Sequence, residues 1–265
     1  MRAANSNLKA LLWDVDGTLA ETERDGHLLA FNQAFEACGL PWRWSTEQYG
    51  DLLRITGGRE RILHDMAQHR RGPTLVGERE VLARQLHGEK NRRYAEIVEG
   101  PGLPWREGVI ELLTECREQG IVLAIVTTTS RVNLQALLRA RLGRDGSQWF
   151  PVQVCGEDVA SKKPDPEAYQ RALRELRIGP LQALAIEDSP GGAASARAAN
   201  VPVIVARSRY FADVPFEGVT AIGPGLHTRR GWLPALPGAT SGDGPVTLSD
   251  LMCWHAAMDT VSHYP

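Results

Sequence analysis

The sequence lacks the features that mark membrane proteins, secreted proteins and nucleic-acid-binding proteins. None of its 265 residues lies in a stretch approaching about 18 uninterrupted apolar positions, so no membrane-spanning helix is predicted. Residues 1–8 lack the apolar run of a signal peptide, and we expect a cytoplasmic protein. The 30 basic and 32 acidic residues give a net charge of -2, which disfavours a nucleic-acid partner.

Cysteine is scarce, and its spacing excludes two common kinds of site. The four cysteines are Cys38, Cys116, Cys155 and Cys253. No two of them have the spacing of a zinc site or of a redox CxxC motif. We therefore expect reduced thiols without a catalytic role.

Short apolar runs alternate with longer amphipathic segments along much of the chain. Runs that read as strands lie at residues 9–13, 121–126, 151–155, 184–186 and 201–205. Strands that are apolar throughout are typical of a sheet covered on both faces. Their alternation with helical segments predicts a Rossmann-like, doubly wound parallel α/β fold.

One long segment interrupts this alternation. Residues 21–104 are mostly helical in pattern, rich in Arg and Glu, and end in a Gly/Pro-rich linker at residues 100–104. They predict a helical domain inserted into a discontinuous core made of residues 1–20 and 105–236. Residues 237–265 are predicted to be a C-terminal extension. Loops are predicted at 223–245, across the start of this extension, and a last helix is predicted at 248–258.

The most informative motif is Asp14-Val15-Asp16-Gly17-Thr18, directly after the first apolar run. Carboxylates at positions i and i+2 of an extended segment point to the same side. At the carboxyl end of a parallel strand, two such acids lie where α/β sheets bind ligands. An acidic turn without chemistry would explain this motif taken alone.

Three further polar groups follow predicted strands or the loops beyond them. The hydroxyls and amides of residues 127–130 suit phosphate oxygens, although a helix N-cap explains one hydroxyl equally well. A lysine in Lys162-Lys163-Pro164 suits a phosphate, although most lysines are simply solvated. The adjacent acids Glu187 and Asp188 suit Mg²⁺, which prefers oxygen ligands.

The order of these four groups, at positions 14, 127, 163 and 188, resembles the four motifs of the haloacid dehalogenase superfamily. The resemblance covers about residues 9–206. It implies that Asp14 is the nucleophile, which forms an aspartyl-phosphate, and that Asp16 is the general acid and base. It implies that Thr127 binds the phosphate, with a further contact from Thr128.

The resemblance also assigns the charges that balance the phosphate. Lys163 matches the motif lysine, with Lys162 as its less favoured neighbour. Glu187 and Asp188 match the metal-binding acids, and Asp14 and the backbone carbonyl of Asp16 complete the Mg²⁺ ligands. Because nucleophile and phosphate are both anionic, Mg²⁺ and the lysine would offset their repulsion.

Within the superfamily, the insert resembles a C1-type cap of the CbbY branch. The segments that carry this likeness are residues 20–23 (AETE), 27–35 (HLLAFNQAF), 56–62 (TGGRERI) and 127–130 (TTTS). The branch includes a phosphatase for xylulose 1,5-bisphosphate, which implies a link to the Calvin cycle. The sequence departs from the branch at Arg59, where that segment often carries a lysine of different geometry.

The insert supplies the candidate substrate contacts. Gly57 and Gly58 precede a helical pattern, and N–H groups at a helix N-terminus bind anions. Arg54 and Arg59 flank this segment, although arginines on a helical insert are often just solvated. The resemblance adds Thr56 to this group and implies sugar contacts from Glu23, His27 and Tyr49.

Three functions fit these residues. The first is a Mg²⁺-dependent phosphatase acting on a small sugar phosphate or bisphosphate, with xylulose 1,5-bisphosphate as the substrate that the resemblance implies. The second is a sugar phosphomutase like β-phosphoglucomutase, which would use the same residues. The third is a binding protein that kept the fold without catalysis. We expect a monomer whose partner is the phosphorylated sugar.

Overall fold

A six-stranded parallel sheet forms the centre of the computed structural model, which describes residues 7–100, 102–235 and 244–261. The strands are β1 (Ala10–Trp13), β2 (Val122–Val126), β3 (Val152–Val154), β4 (Ala183–Glu187), β5 (Val203–Ala206) and β6 (Ala221–Gly223). Their order across the sheet is β3-β2-β1-β4-β5-β6, and all neighbouring pairs are parallel. The predicted α/β fold class is confirmed.

Both faces of strand β1 are buried, which explains why its sequence is apolar throughout. Leu11 and Trp13 belong to one buried cluster of side chains, and Ala10 and Leu12 belong to another. Successive side chains of a strand point to opposite faces, so each face of the sheet has its own core. The chain order reverses on either side of β1, which places the ligand-binding crevice at the carboxyl ends of β1 and its neighbours.

Helices α1 (Leu29–Ala37), α2 (Thr46–Leu52), α3 (Gly58–Gln68) and α4 (Val76–Glu99) lie between β1 and β2 in the chain, after a π-helical turn at Glu23–Leu28. They enclose a third buried cluster that includes Phe31, Phe35 and Trp44. The chain enters and leaves this helical segment side by side, where Ala20 and Trp105 form an antiparallel bridge. The domain limits at residues 20 and 105 stay a prediction.

The remaining helices are α5 (Val109–Glu118), α6 (Arg131–Leu142), α7 (Glu167–Leu176), α8 (Pro190–Ala198) and α9 (Leu248–Val261). Ser189 is the N-cap of α8, because its Oγ accepts a hydrogen bond from Gly192 N at 3.1 Å. Helix α7 begins at Glu167, after the turn at Asp165 and Pro166. Asp165 Oδ1 accepts from Glu167 N at 2.9 Å, so Asp165 forms the turn that precedes the helix.

The C-terminal part differs most from the prediction. Strand β6 was not predicted, because three residues carry too little periodicity. The predicted last helix is present as α9, and its Trp254 joins the same cluster as Leu11 of β1. Residues 236–243 lie outside the described residues, and with them the boundary predicted after residue 236 and part of the loop predicted at 223–245. Pro101 of the predicted linker also lies outside the described residues. Among the described residues, no helix combines the length and apolarity needed to cross a membrane.

Candidate active site

The polar side chains predicted from the four motifs meet at the carboxyl edge of the sheet. Asp14 follows β1, Thr127 follows β2, Glu187 ends β4 and Asp188 follows it. All four side chains are buried. Because β1 lies between β2 and β4, parallel strands alone are enough to bring these residues together.

Lys163 connects the nucleophile candidate to the acids of β4. Its Nζ donates to Asp14 Oδ1 at 2.8 Å, to Glu187 Oε1 at 2.6 Å and to the carbonyl oxygen of Val126 at 2.7 Å. Burial opposes the charge, but the two carboxylates outweigh burial and raise the pKa of Lys163 above its usual range. The ammonium group thus stays charged, with all three protons donated.

Asp14, Glu187 and Asp188 form a buried acidic cluster whose oxygens lie within 4.8 Å of one another. Burial is the main cause that raises the pKa of Asp14 to about 8, although Lys163 opposes it. Burial, Asp14 and Glu187 raise the pKa of Asp188 well above its usual range. Glu187 Oε2 is buried without a hydrogen-bond partner among the described residues. These carboxylates fit a hard divalent cation, which would offset their mutual repulsion.

The side chain of Asp16 turns away from this cluster. Its Oδ1 accepts a hydrogen bond from Thr22 Oγ1 at 2.5 Å and lies 2.8 Å from His27 Nε2. Burial favours the neutral acid, but His27 and Thr22 outweigh burial and lower the pKa of Asp16. The carboxylate of Asp16 is therefore absent from the acidic cluster, and only its backbone carbonyl stays available for the predicted metal contact.

Two glycines make room for the acids. A Cβ on Gly17, whose φ is +85°, would collide with the carboxylate of Asp188. A Cβ on Gly192, in the first turn of α8, would collide with the carboxylate of Glu187. Both positions therefore need glycine for the acidic cluster to form as it does.

Two adjoining cavities open between the sheet edge and the helical segment. The larger, about 290 Å³, is lined by Asp14, Lys163 and Asp188, and the smaller, about 90 Å³, by Lys90 and Lys162. Concave sites with a few charged side chains are where small ligands bind. The two cavities share four lining residues: Asp16, Glu23, Arg61 and Thr128.

The predicted substrate contacts are placed unevenly around these cavities. Arg54 and Thr56 line the larger cavity, and Gly58 and His27 line the smaller. Tyr49 lines neither, and its hydroxyl donates to Glu23 Oε2 at 2.5 Å.

Arg59 also lies outside both cavities. Its side chain is 41% exposed, and its guanidinium nitrogens lie 3.7 Å from Glu60 Oε1 and 3.9 Å from Glu80 Oε2. Its predicted role in substrate binding therefore has no support from its position.

Sequence reasoning missed several cations that the cavities do contain. Arg61 lines both cavities, and its guanidinium donates to Tyr49 OH at 3.0 Å. Lys90 is 4% exposed, and burial lowers its pKa to about 8. The signal for Lys90 was present, because it continues a helical row of buried residues on α4: Ala83, Leu86, Lys90, Tyr94 and Ile97. A lysine in a row of buried apolar residues is unusual unless it is paired, which is why this position stands out.

Comparison with known proteins identifies the family of the chain. The family model of the haloacid dehalogenase-like hydrolases matches residues 8–200. The chain belongs to this hydrolase family. The family predicted from the motifs, and with it the enzyme class of a phosphoric monoester hydrolase, is confirmed.

Three relatives refine the family assignment. The chain is 46% identical to CbbY of Rhodobacter capsulatus over 77% of this chain and 87% of that protein. It is 40% identical to the plasmid-encoded CbbY of Cupriavidus necator over 94% and 97% of the two chains. A crystal structure of a CbbY variant from Rhodobacter sphaeroides in complex with xylulose-(1,5)bisphosphate has a TM-score of 0.76 and 38% identity, covering 82% of this chain and 94% of that one. The likeness to the CbbY branch is thus confirmed for this family member.

Proposed function

We propose that this hydrolase is a Mg²⁺-dependent phosphatase that removes one phosphate from a small sugar bisphosphate through an aspartyl-phosphate on Asp14. The observation that carries the proposal is the contact of Asp14 with Lys163 beside the acidic cluster, at the wall of the larger cavity. The substrate proposed is xylulose 1,5-bisphosphate, since a CbbY neighbour binds that sugar. A role in the Calvin cycle is part of the same proposal.

The acidic cluster makes Asp14 both a nucleophile and a metal ligand. Mg²⁺ held by Asp14 and Asp188, with Glu187 beside them, would supply positive charge to the phosphoryl oxygens. Lys163 keeps one oxygen of Asp14 fixed and adds its own charge next to the phosphate. An oxygen of Asp14 then attacks phosphorus, and the sugar oxygen departs.

Asp16 handles the protons of this reaction. It lines both cavities, including the one that Asp14 lines. Held by Thr22 and His27 it is a carboxylate, which is the form that takes a proton from water as water attacks the aspartyl-phosphate. Protonation of the leaving sugar oxygen requires that Asp16 first leave these two partners and take up a proton.

The second phosphate of the sugar fits the smaller cavity. Lys90, Lys162 and Arg61 supply positive charge there, and the N-terminus of α3 begins at Gly58. Because the two cavities meet at Asp16 and Thr128, a sugar of five carbons would place one phosphate at Asp14 and the other among these cations.

Two assays separate this function from its alternatives. Phosphate release is measured over a panel of sugar monophosphates and bisphosphates with Mg²⁺ present. Stoichiometric phosphate from xylulose 1,5-bisphosphate supports the proposal. Formation of glucose 6-phosphate from β-glucose 1-phosphate without net phosphate would instead support a phosphomutase, and absence of both reactions would support a binding protein. A monomeric state and a cytoplasmic location also stay predictions.

A further inference from the structure

We propose that Lys162 is the residue that selects a second anionic group on the substrate, and that Glu60 occupies Lys162 until such a group displaces it. This inference rests on the proposed bisphosphate substrate. It assigns different roles to two consecutive lysines, Lys162 and Lys163.

The two lysines differ in how many of their donors are used. Lys163 Nζ donates to three acceptors, so it has no proton left for a second phosphate. Among the described residues, Lys162 has a single ion-pair partner, Glu60, with Nζ and Oε1 2.8 Å apart. Lys162 therefore keeps two protons available in the smaller cavity, which it lines.

The pair joins the sheet side of the site to the helical segment. Glu60 lies in the first turn of α3, and Lys162 lies 102 residues later in the turn that carries Lys163. The two side chains are 33% and 26% exposed. Ion pairs exposed to this degree are weak, so a ligand of higher charge can replace the carboxylate.

The carboxylate of Glu60 also uses little of its hydrogen-bonding capacity in this position. Its Oε2 is buried without a hydrogen-bond partner among the described residues. A phosphate dianion at the same place would present three oxygens to Lys162 and the amides at the start of α3, where the carboxylate uses one. Arg59 Nη2 lies 3.7 Å from Glu60 Oε1, on a side chain outside both cavities. Arg59 is thus placed to receive Glu60 once the carboxylate leaves Lys162.

A second side chain that lines the smaller cavity has an unused donor. Ser130 is 8% exposed, and its Oγ has no hydrogen-bond partner in the part of the chain that the structure describes. Ser130 and Lys162 both line the cavity. A phosphate between them would pair the hydroxyl and the ammonium group in one step.

Binding measured without turnover tests the inference. In an Asp14→Asn background, calorimetry compares xylulose 1,5-bisphosphate with xylulose 1-phosphate and xylulose 5-phosphate. Adding Lys162→Gln should weaken bisphosphate binding by about 10- to 100-fold, the range of a lost charged hydrogen bond. It should change monophosphate binding by about twofold or less. Adding Glu60→Gln should tighten bisphosphate binding, because the competing carboxylate is gone.

A charge swap provides the control. If Lys162 and Glu60 only hold the two parts of the molecule together, Lys162→Glu with Glu60→Lys restores bisphosphate binding, and that restoration would overturn the inference. Equal weakening of all three sugars by Lys162→Gln, or no preference of the Asp14→Asn protein for the bisphosphate, would overturn it as well. Should Lys162→Gln leave bisphosphate binding unchanged while the parent enzyme releases phosphate, the proposed function stands and this inference fails.

Discussion

The surroundings of individual acidic side chains at the site shift their pKa values in opposite directions. Asp14 and Asp188 share one acidic cluster, and burial raises the pKa of both. Asp16 is two residues from Asp14, yet His27 and Thr22 lower its pKa. The DxD motif therefore separates two carboxylates into different environments, which is how one motif can supply both a nucleophile and a proton carrier.

Replacing Asp16 tests that separation. Asp16→Ala should slow phosphate release by about 100- to 10,000-fold, the usual contribution of a general acid and base. Mg²⁺ affinity, measured by calorimetry, should change little, because the carboxylate of Asp16 lies outside the acidic cluster. Turnover of Asp16→Ala at the parental rate would show that the proton-transfer role belongs elsewhere.

Lys90 gives a pH dependence of stability with a definite sign. Burial lowers its pKa from 10.5 to about 8, so between these pH values the unfolded chain binds more protons than the folded one. The burial cost is fully present below pH 8 and disappears as the pH rises toward 10.5. Lys90→Met should therefore raise the free energy of unfolding at pH 7 by up to about 3 kcal/mol.

Urea unfolding at pH 7, 9 and 10.5 measures this effect. The advantage of Lys90→Met over the parent should shrink steadily across the series. Lys9→Met removes an exposed lysine and serves as the control, with no such trend. An advantage that stays constant with pH would show that Lys90 is not held at a lowered pKa.

At the scale of elements, helix α8 is adapted to the acid at the end of β4. Its first turn contains Gly191 and Gly192, and only the second faces the carboxylate of Glu187. A Cβ on Gly191 would meet nothing within 4 Å. Substituting the two adjacent glycines one at a time therefore distinguishes an effect on helix stability from an effect on the position of Glu187.

Gly192→Ala should displace Glu187 and lower kcat by about 10-fold or more, the scale on which small misplacements at active sites act. Gly191→Ala adds the same methyl group to the wall of the larger cavity without reaching Glu187, so it should lower kcat less than Gly192→Ala does. It should gain up to about 1 kcal/mol of stability, because alanine favours a helix. Phosphate release and thermal unfolding of the two variants measure the difference. Parental kcat in Gly192→Ala would mean that the position of Glu187 has little bearing on turnover.

Some features of the strands and of the site were predictable from the sequence, and others were not. The central strands were predictable because each is an apolar run that ends in a polar residue, as β1 ends before Asp14. Parallel pairing places the carboxyl ends of these strands at one edge of the sheet, so it was predictable from the sequence that the motif residues would meet there. The pairing of Lys162 with Glu60 was not predictable, since 102 residues separate them and neither strand order nor helical period relates the two.

At the scale of the whole molecule, the C-terminal helix belongs to the core. The indole rings of Trp232 and Trp254 lie 4.7 Å apart, and Leu248 N donates to Glu115 Oε2 of α5 at 2.9 Å. The family model ends at residue 200, so this packing lies beyond the matched segment. We expect α9 to support folding without taking part in catalysis.

Truncation of Trp254 tests that expectation. Trp254 is 3% exposed, so Trp254→Ala should cost about 3–5 kcal/mol of folding free energy and leave KM unchanged. Leu233→Ala, at a residue that is 68% exposed, is the control and should cost almost nothing. A raised KM in the folded Trp254→Ala protein would instead connect the C-terminal helix to the substrate site.

The most direct measurement for the whole account is phosphate release by the parent protein and by Asp14→Asn, each with Mg²⁺ and with the metal removed by chelation. We expect release by the parent only with Mg²⁺, and with Mg²⁺ present a loss of about a thousandfold or more in Asp14→Asn. Release by Asp14→Asn near the parental rate, or a parental rate indifferent to the metal, would contradict it.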